Sequence, residues 1–279
     1  MNKPTIITVA NHKGGVGKTT LSVNLSSGLL KYFDKVLIID FDPQANTTYW
    51  ICKEHGSIST TVSELLRYYA LNDVKNSPDY MAKFNQMLKE ATIDYISGDK
   101  QMSLITSSLK LSEVKIELTA RMNSFFKIKD MIKHITPFYD IVIIDTPPSI
   151  ELLTHSAIAA SDFVLIPVIA DAQAISGALD IVNNLLPAVR EYYNPFTKLL
   201  GVVFNQNSRT NVARVTKKKV NELFSDSVFK TVISHSVRIG ELTLLRDTIN
   251  NTAPTSKSAK EYTALTDEVY QRITGAKNE

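Results

Sequence analysis

The stretch "NHKGGVGKTT", Asn11–Thr20, decides how the rest of this chain is read. A β-branched run, Thr5–Ala10, leads into it, and Lys18–Tyr32 follows with Leu21, Leu25 and Leu29 at helical spacing. Strand, glycine loop and helix in that order form the opening unit of a parallel α/β sheet. Gly14, Gly15, Val16 and Gly17 make a flexible loop whose backbone N–H groups can turn inward around an anion. The helix that follows adds the positive end of its dipole. In such a cradle Lys18 reaches the outer phosphates of a nucleotide, the Thr19 hydroxyl ligates Mg2+, and Thr20 lies near the inner phosphate. The loop departs from the G-x-x-x-x-G-K-[ST] pattern at its first position, where His12 stands, and a second lysine, Lys13, follows it.

Working outward, Lys35–Asp40 ("KVLIID"), Asp140–Asp145 ("DIVIID"), Phe163–Pro167 and Leu199–Asn205 read as further strands, with Thr231–Ser234 a shorter one. Their near-continuous apolar character suits a sheet covered on both faces. Helical patterns lie at Ser124–Ile135, Ala172–Tyr192 and Val212–Phe224. Ser256–Ile273 is a last helix with Ala259, Tyr262, Leu265, Val269 and Ile273 at helical spacing. Residues 49–98 are variable in character and rich in aromatics. Within them Ser63–Ala70 and Pro78–Ala91 read as two helices packing over the sheet edge. The expectation is a single-domain, doubly wound α/β fold over residues 1–279, with a mostly parallel sheet flanked by helices. A 44% hydrophobic fraction in 279 residues is enough for one sizeable core. Cys52 is the single cysteine, which excludes a disulfide framework and a thiolate cluster and points to a reducing cytosol. Neither a signal peptide nor a membrane-spanning helix is expected, because no apolar run is long enough. The five histidines show no metal-ligand spacing.

A phosphate loop of this kind also needs a carboxylate at the end of another strand to orient a metal. Asp145 closes "DIVIID" and meets that demand. Asp40 ends "KVLIID", and Asp42 lies two residues on, where it can reach a water in line with a terminal phosphate. Carboxylates this close to a triphosphate repel it unless Mg2+ and lysines offset them. Asp40 and Asp42 are therefore both coupled to the metal site.

"KGGVGKTT", "IIDFDPQANTT" and "DIVIIDTPPSIELLT" together resemble the ParA/MinD group of deviant Walker A ATPases. The likeness to the ParA (Soj) partition branch continues through "ASDFVLIPV", "SRTNVARVTKKKVNELFSDSVFKTVISHSVR" and "SKSAKEYTALTDEV". It covers nearly the whole chain and is weakest over Tyr49–Gly98. The resemblance implies slow, Mg2+-dependent hydrolysis of ATP to ADP and phosphate by a homodimer closed face to face over two nucleotides. It implies that Lys13 crosses to the other subunit's nucleotide, where a fixed cation suits the loose charge of a phosphoryl-transfer transition state. By matching position, Lys18 and Thr19 would contact the phosphates and Mg2+, Asp42 would orient the attacking water, and Asp145 would be the Walker B carboxylate. Asn205 and the Pro254–Ser256 stretch would read the adenine. Two departures stand out. Glu151 occupies a place where the family has glycine, and "ISHSVRIGELT" keeps Val237 and Arg238 but loses the family's alanine-proline turn.

Residues 190–246 carry ten Lys/Arg against four Asp/Glu in a chain of net charge +3, so the basic charge is concentrated there. Taken alone, a helix such as "ARVTKKKVNELF" reads as a solvated face. The resemblance implies more: double-stranded DNA bound without sequence preference by the ATP dimer, through Arg209, Arg214, Lys217, Lys218, Lys219, Lys230 and Arg238. Phosphate contacts of that kind make binding strongly salt-dependent. A ParB-like centromere-binding partner that stimulates hydrolysis, a plasmid or chromosomal cargo and a cytoplasmic, nucleoid-associated location are implied with it. The rival is a MinD-like membrane-associated ATPase, or one that positions another cargo. Membrane attachment requires a basic amphipathic helix. The last helix sets Lys257, Lys260 and Arg272 against Glu261, Asp267 and Glu268, so no membrane partner is expected. A different class of reading, a non-hydrolysing ATP-controlled scaffold, is opposed by intact Lys18, Asp42 and Asp145.

Overall fold

The computed structural model describes residues 3–52, 58–71, 77–96, 99–208 and 210–277. The first half of the chain forms β1 (Thr5–Val9), α1 (Lys18–Leu29), β2 (Lys35–Asp40), α2 (Asn46–Ile51), α3 (Val62–Leu71), α4 (Pro78–Ala91), β3 (Thr92–Ile96), β4 (Gln101–Ile105), α5 (Lys110–Thr119) and α6 (Ser124–Ile135). The second half adds β5 (Ile141–Asp145), α7 (Leu152–Ala160), β6 (Phe163–Val168), α8 (Ala172–Asp180), α9 (Leu186–Tyr192), β7 (Lys198–Asn207), α10 (Asn211–Phe224), β8 (Val228–Ser234), α11 (Val237–Leu245), α12 (Ile249–Thr252) and α13 (Lys257–Lys277).

The strands make one sheet in the order β3-β4-β2-β5-β1-β6-β7-β8. Every pairing is parallel except β3 with β4. From β1 the chain winds outward to β2 on one side, and from β5 to β6 on the other. That reversal creates a crevice at the carboxyl ends of β5 and β1, where open α/β sheets bind ligands. The register sharpens the point: Val9 and Asp40 both pair with Asp145. The root of the glycine loop and two strand-terminal carboxylates therefore stand abreast at one crevice.

Alternation along β2 shows how the core is layered. Val36 and Ile38 join an apolar cluster with α1 and α13, while Leu37 and Ile39 join one with α3, α5, α6 and α7. A third cluster lies beneath α8, α9 and α10. On α1 Gly28 allows α13 to come close, since a Cβ there would lie 2.3 Å from Thr266 Oγ1. The apolar stripe Ala259, Tyr262, Leu265, Val269 and Ile273 of α13 is buried in this layer. Each large side chain so buried contributes about 1.5–3 kcal/mol. The stripe is thus committed to the core. Among the described residues no helix is long and apolar enough to cross a membrane.

Two stretches of the chain differ from expectation. The variable region does supply α3 and α4, with Tyr68 and Tyr80 stacked at 4.7 Å between centroids, but the chain then runs on into β3 and β4. The helix expected over Ala172–Tyr192 is widened into a π segment at Ile181–Leu185, just before Pro187. Proline has no N–H to continue an α ladder, and a π bulge absorbs that break.

Candidate nucleotide site

Gly15 and Gly17 sit at φ +78° and +85°, a left-handed backbone that glycine adopts without strain. Gly17 begins α1 with no side-chain cap, so the orphan N–H groups of the first turn remain for an anion. A Cβ at Gly15 would meet nothing within 4 Å, whereas one at Gly17 would lie 2.4 Å from Asn205 Nδ2. The loop is packed on one side and open on the other. Its packed side rests on the end of β7. Asn205 Nδ2 donates to the Val16 carbonyl at 2.8 Å, and exposed Gln206 donates through Nε2 to the Gly15 carbonyl at 2.8 Å. The Asn205 amide expected to read a base is therefore engaged in buttressing the loop.

Lys18 is buried, and its Nζ donates to the carbonyls of Asn11 at 3.0 Å and Lys13 at 3.4 Å. Burial pulls its ammonium below the ordinary lysine range, and Asp145 and Asp42 oppose that pull. Asp145 Oδ2 accepts from Thr19 Oγ1 at 2.8 Å and Thr47 Oγ1 at 2.7 Å, while Oδ1 accepts from Ser22 Oγ at 3.2 Å. Burial pushes the Asp145 carboxyl up, against the Thr47 and Thr19 hydroxyls and Lys18. Asp42 is also buried and pushed up by burial; its Oδ1 accepts the Gln44 N–H at 2.9 Å.

Asp40 departs from its expected coupling to the metal. Its Oδ2 accepts from the Thr48 N–H at 2.8 Å and the Thr48 hydroxyl at 2.7 Å, and its Oδ1 from the Asp42 N–H at 3.2 Å. Complete burial and the nearby Asp145 charge push its carboxyl up to about 8. Asp40 shapes the loop that carries Asp42 rather than facing the cleft.

Gly14, Gly15, Gly17, Lys18, Thr19 and Thr20 form one wall of a cleft of about 620 Å³, with Asp42, Trp50 and Leu244 opposite. A second cleft of about 410 Å³ adjoins it, sharing Thr20, Trp50, Gln206 and Thr243 and walled further by Asn205, His235, Val237 and Gly240. Trp50 is buried between the two, its indole N–H donating to the Asp247 carbonyl at 2.9 Å. Pro254 is exposed in the turn before α13 and lines neither cleft. The wall expected from that stretch comes instead from α11. Lys13 points elsewhere: its Nζ donates to Gln173 Oε1 on α8 at 2.7 Å.

Two buried carboxylates, Asp42 and Asp145, face the ammonium of Lys18 and leave the site short of positive charge. Asp42, Asp145 and the Thr19 hydroxyl are hard oxygen donors, the type that binds Mg2+ together with a nucleotide's phosphates. The donor set and the open glycine cradle fit a Mg2+–nucleotide ligand.

Sequence reading missed Thr47, Ser22, Gln206 and Trp50 at the site. Thr47 had a signal, since hydroxyl residues crowd "DPQANTT" just after the strand-end carboxylates. The basic residues spread over three elements. Arg214, Lys218 and Lys219 are exposed and Lys217 half-buried on α10, whose apolar side buries Ala213, Val220 and Phe224. Lys230 is exposed on β8 and Arg238 on α11. Arg209 lies outside the described residues. Glu151 precedes α7 and pairs with Lys115 Nζ at 2.6 Å, tying the segment after Asp145 to α5.

Residues 4–199 match a family described as an AAA domain. The sporulation initiation inhibitor protein Soj of Bacillus subtilis is 32% identical over 95% of this chain and 97% of its own length. The chromosome partitioning protein ParA of Myxococcus xanthus is 30% identical, covering 96% and 89%. The septum site-determining protein MinD of Pyrococcus horikoshii, solved with Mg-ADP, shares the fold at a TM-score of 0.72 and 22% identity, over 98% of each chain. With the glycine cradle, Lys18 and Asp145 assembled at one crevice, and partition proteins matched end to end, the chain belongs to the ParA/Soj family of P-loop ATPases, enzymes that hydrolyse ATP.

Proposed function

We propose that this ATPase acts in DNA partition as an ATP-dependent sandwich dimer that binds double-stranded DNA without sequence preference. A ParB-like centromere-binding partner stimulates its hydrolysis. The observation that carries this reading is the dual role of α11. Its Val237, Gly240, Thr243 and Leu244 wall the two clefts, while its Arg238 is exposed. One short helix links nucleotide occupancy to a cation on the surface.

When bound, MgATP supplies the phosphoryl group and the metal that screens its charge. The backbone N–H groups of the loop and the Lys18 ammonium hold the phosphates. Thr19 and Asp145 hold the metal, directly or through water, and Asp42 orients the attacking water. Lys13 is held on α8 by Gln173, away from the cleft that Lys18 serves. That placement favours a role in trans, where its charge offsets negative charge on the other subunit's transferring phosphoryl group. Dimerisation doubles the number of cations presented to a duplex, which makes DNA affinity depend on nucleotide state.

The test is binding to a random-sequence duplex with ATP, ADP or no nucleotide, across a salt series. Tight, salt-sensitive binding with ATP alone is expected. Equal binding in all three states, or none in any, would overturn the reading.

A further inference from the structure

We propose that Ser107, in the loop between β4 and α5, is a positioning residue for Asp42. The inference rests on the role given to Asp42 above. Ser107 is buried, and its hydroxyl donates to the Asp42 carbonyl at 2.8 Å. Its own N–H donates to Thr48 Oγ1 at 2.8 Å, and that hydroxyl donates onward to Asp40. Both ends of the Asp42–Thr48 loop are thereby anchored to a neighbouring strand end. Between the anchors the chain is strained. Ala45 sits at φ +52°, a left-handed conformation that costs a non-glycine residue energy and persists where the surroundings over-determine it. The Asp42 carbonyl accepts the Ala45 N–H at 2.9 Å as well as the Ser107 hydroxyl. The Asp42 carboxylate accepts the Gln44 N–H inside the same turn. Its position relative to Lys18 and Asp145 therefore depends on what holds the turn from outside, and Ser107 holds the Asp42 carbonyl while Asp40 accepts the Asp42 N–H and Asp145 accepts from Thr47. Water activation needs this carboxylate in place, whereas nucleotide binding relies on the glycine loop. Ser107 accordingly acts on turnover and not on affinity.

The experiment compares Ser107→Ala with Thr106→Val in steady-state phosphate release at varied MgATP, alongside thermal unfolding. Thr106 is the buried neighbour whose hydroxyl donates to the Ala91 carbonyl at 3.2 Å, away from Asp42. Ser107→Ala should lower kcat about tenfold with KM within about twofold, because a small misplacement of a water-orienting group is costly. Thr106→Val should lower the unfolding temperature while kcat stays within about twofold, since it removes a hydrogen bond without touching the turn. A Ser107→Ala kcat within twofold of the parent, or a loss carried by KM alone, overturns the inference. Asp42→Ala is run in parallel. If it hydrolyses normally, the assignment of Asp42 fails and Ser107 with it. If it is inactive while Ser107→Ala is normal, only the Ser107 inference fails.

Discussion

Replacing the three loop glycines with alanine, one at a time, separates backbone strain from packing. At Gly14 the nearest atom to a new Cβ is Pro148 Cβ at 3.9 Å, and its φ is not left-handed. Gly14→Ala should change stability by no more than about 0.5 kcal/mol. Gly15 is left-handed but faces open space, so Gly15→Ala meets strain alone, about 1–2 kcal/mol. Gly17→Ala meets the same strain and also drives its Cβ to 2.4 Å from Asn205 Nδ2. That amide is buried and bonded to the Val16 carbonyl, so moving it breaks a buried hydrogen bond at a further cost of about 1–3 kcal/mol. The sum is roughly 2–5 kcal/mol. For a chain of this length it lowers the unfolding temperature by roughly 4–10 °C, against roughly 2–4 °C for Gly15→Ala. Thermal and urea unfolding without nucleotide measure the series. If Gly17→Ala is no worse than Gly15→Ala, Asn205 is not a rigid buttress. If Gly14→Ala is as costly as either, the conformational argument is wrong.

Lys18→Ala should abolish nucleotide binding, read by equilibrium titration, because the cradle loses its point charge. Asp42→Ala should leave an ATP-bound dimer that still binds DNA while phosphate release stops, checked by sizing and a release assay on one preparation. Arg238→Glu should spare ATP binding but weaken DNA binding; with two copies per dimer, the slope of log affinity against log salt should flatten by roughly 2. Glu268 accepts the Lys230 and Thr231 N–H groups, each at 2.9 Å, and Arg272 Nη2 at 3.0 Å. Burial alone would raise its carboxyl, but these donors hold it below the ordinary 4.5. A depressed folded-state value stabilises the protein above the unfolded pKa, and that stability is lost as pH falls through the folded value. Glu268→Gln should therefore cost about 1.5–3 kcal/mol at pH 7, with the gap from the parent closing as pH falls through the lowered folded-state value in unfolding measurements.

The central strands were readable because the sheet is covered on both faces. "KVLIID" becomes β2 with unchanged bounds, and "DIVIID" loses one residue. Ser124–Ile135 was equally clear, since its apolar residues keep helical spacing to the end. β3 and β4 were missed for opposite reasons. β3 is a half-buried edge strand with a register shift between Asp94 and Ile96. β4 is buried, but "QMSLI" contains a single β-branched residue and lacks both a continuous apolar run and a clear alternation. At the site, the glycine loop, Asp42 and Asp145 were legible because each sits at or just past a strand end in a known pattern. Asp40 was misplaced because spacing cannot show that Thr48 turns back on it. Ser107 and Gln206 were invisible because only the folding of distant loops brings them to the glycine loop and the Asp42 turn.

Trp50 is the single tryptophan among 279 residues, and it is buried where the two clefts meet. The protein's indole emission therefore comes from one known point. Filling either cleft changes the polarity around that ring, so the chain carries its own optical gauge of occupancy. Trp50 also shares α2 with Thr47, whose hydroxyl is bonded to Asp145. A stopped-flow trace without any attached dye can thus follow ligand entry beside the helix that carries Thr47.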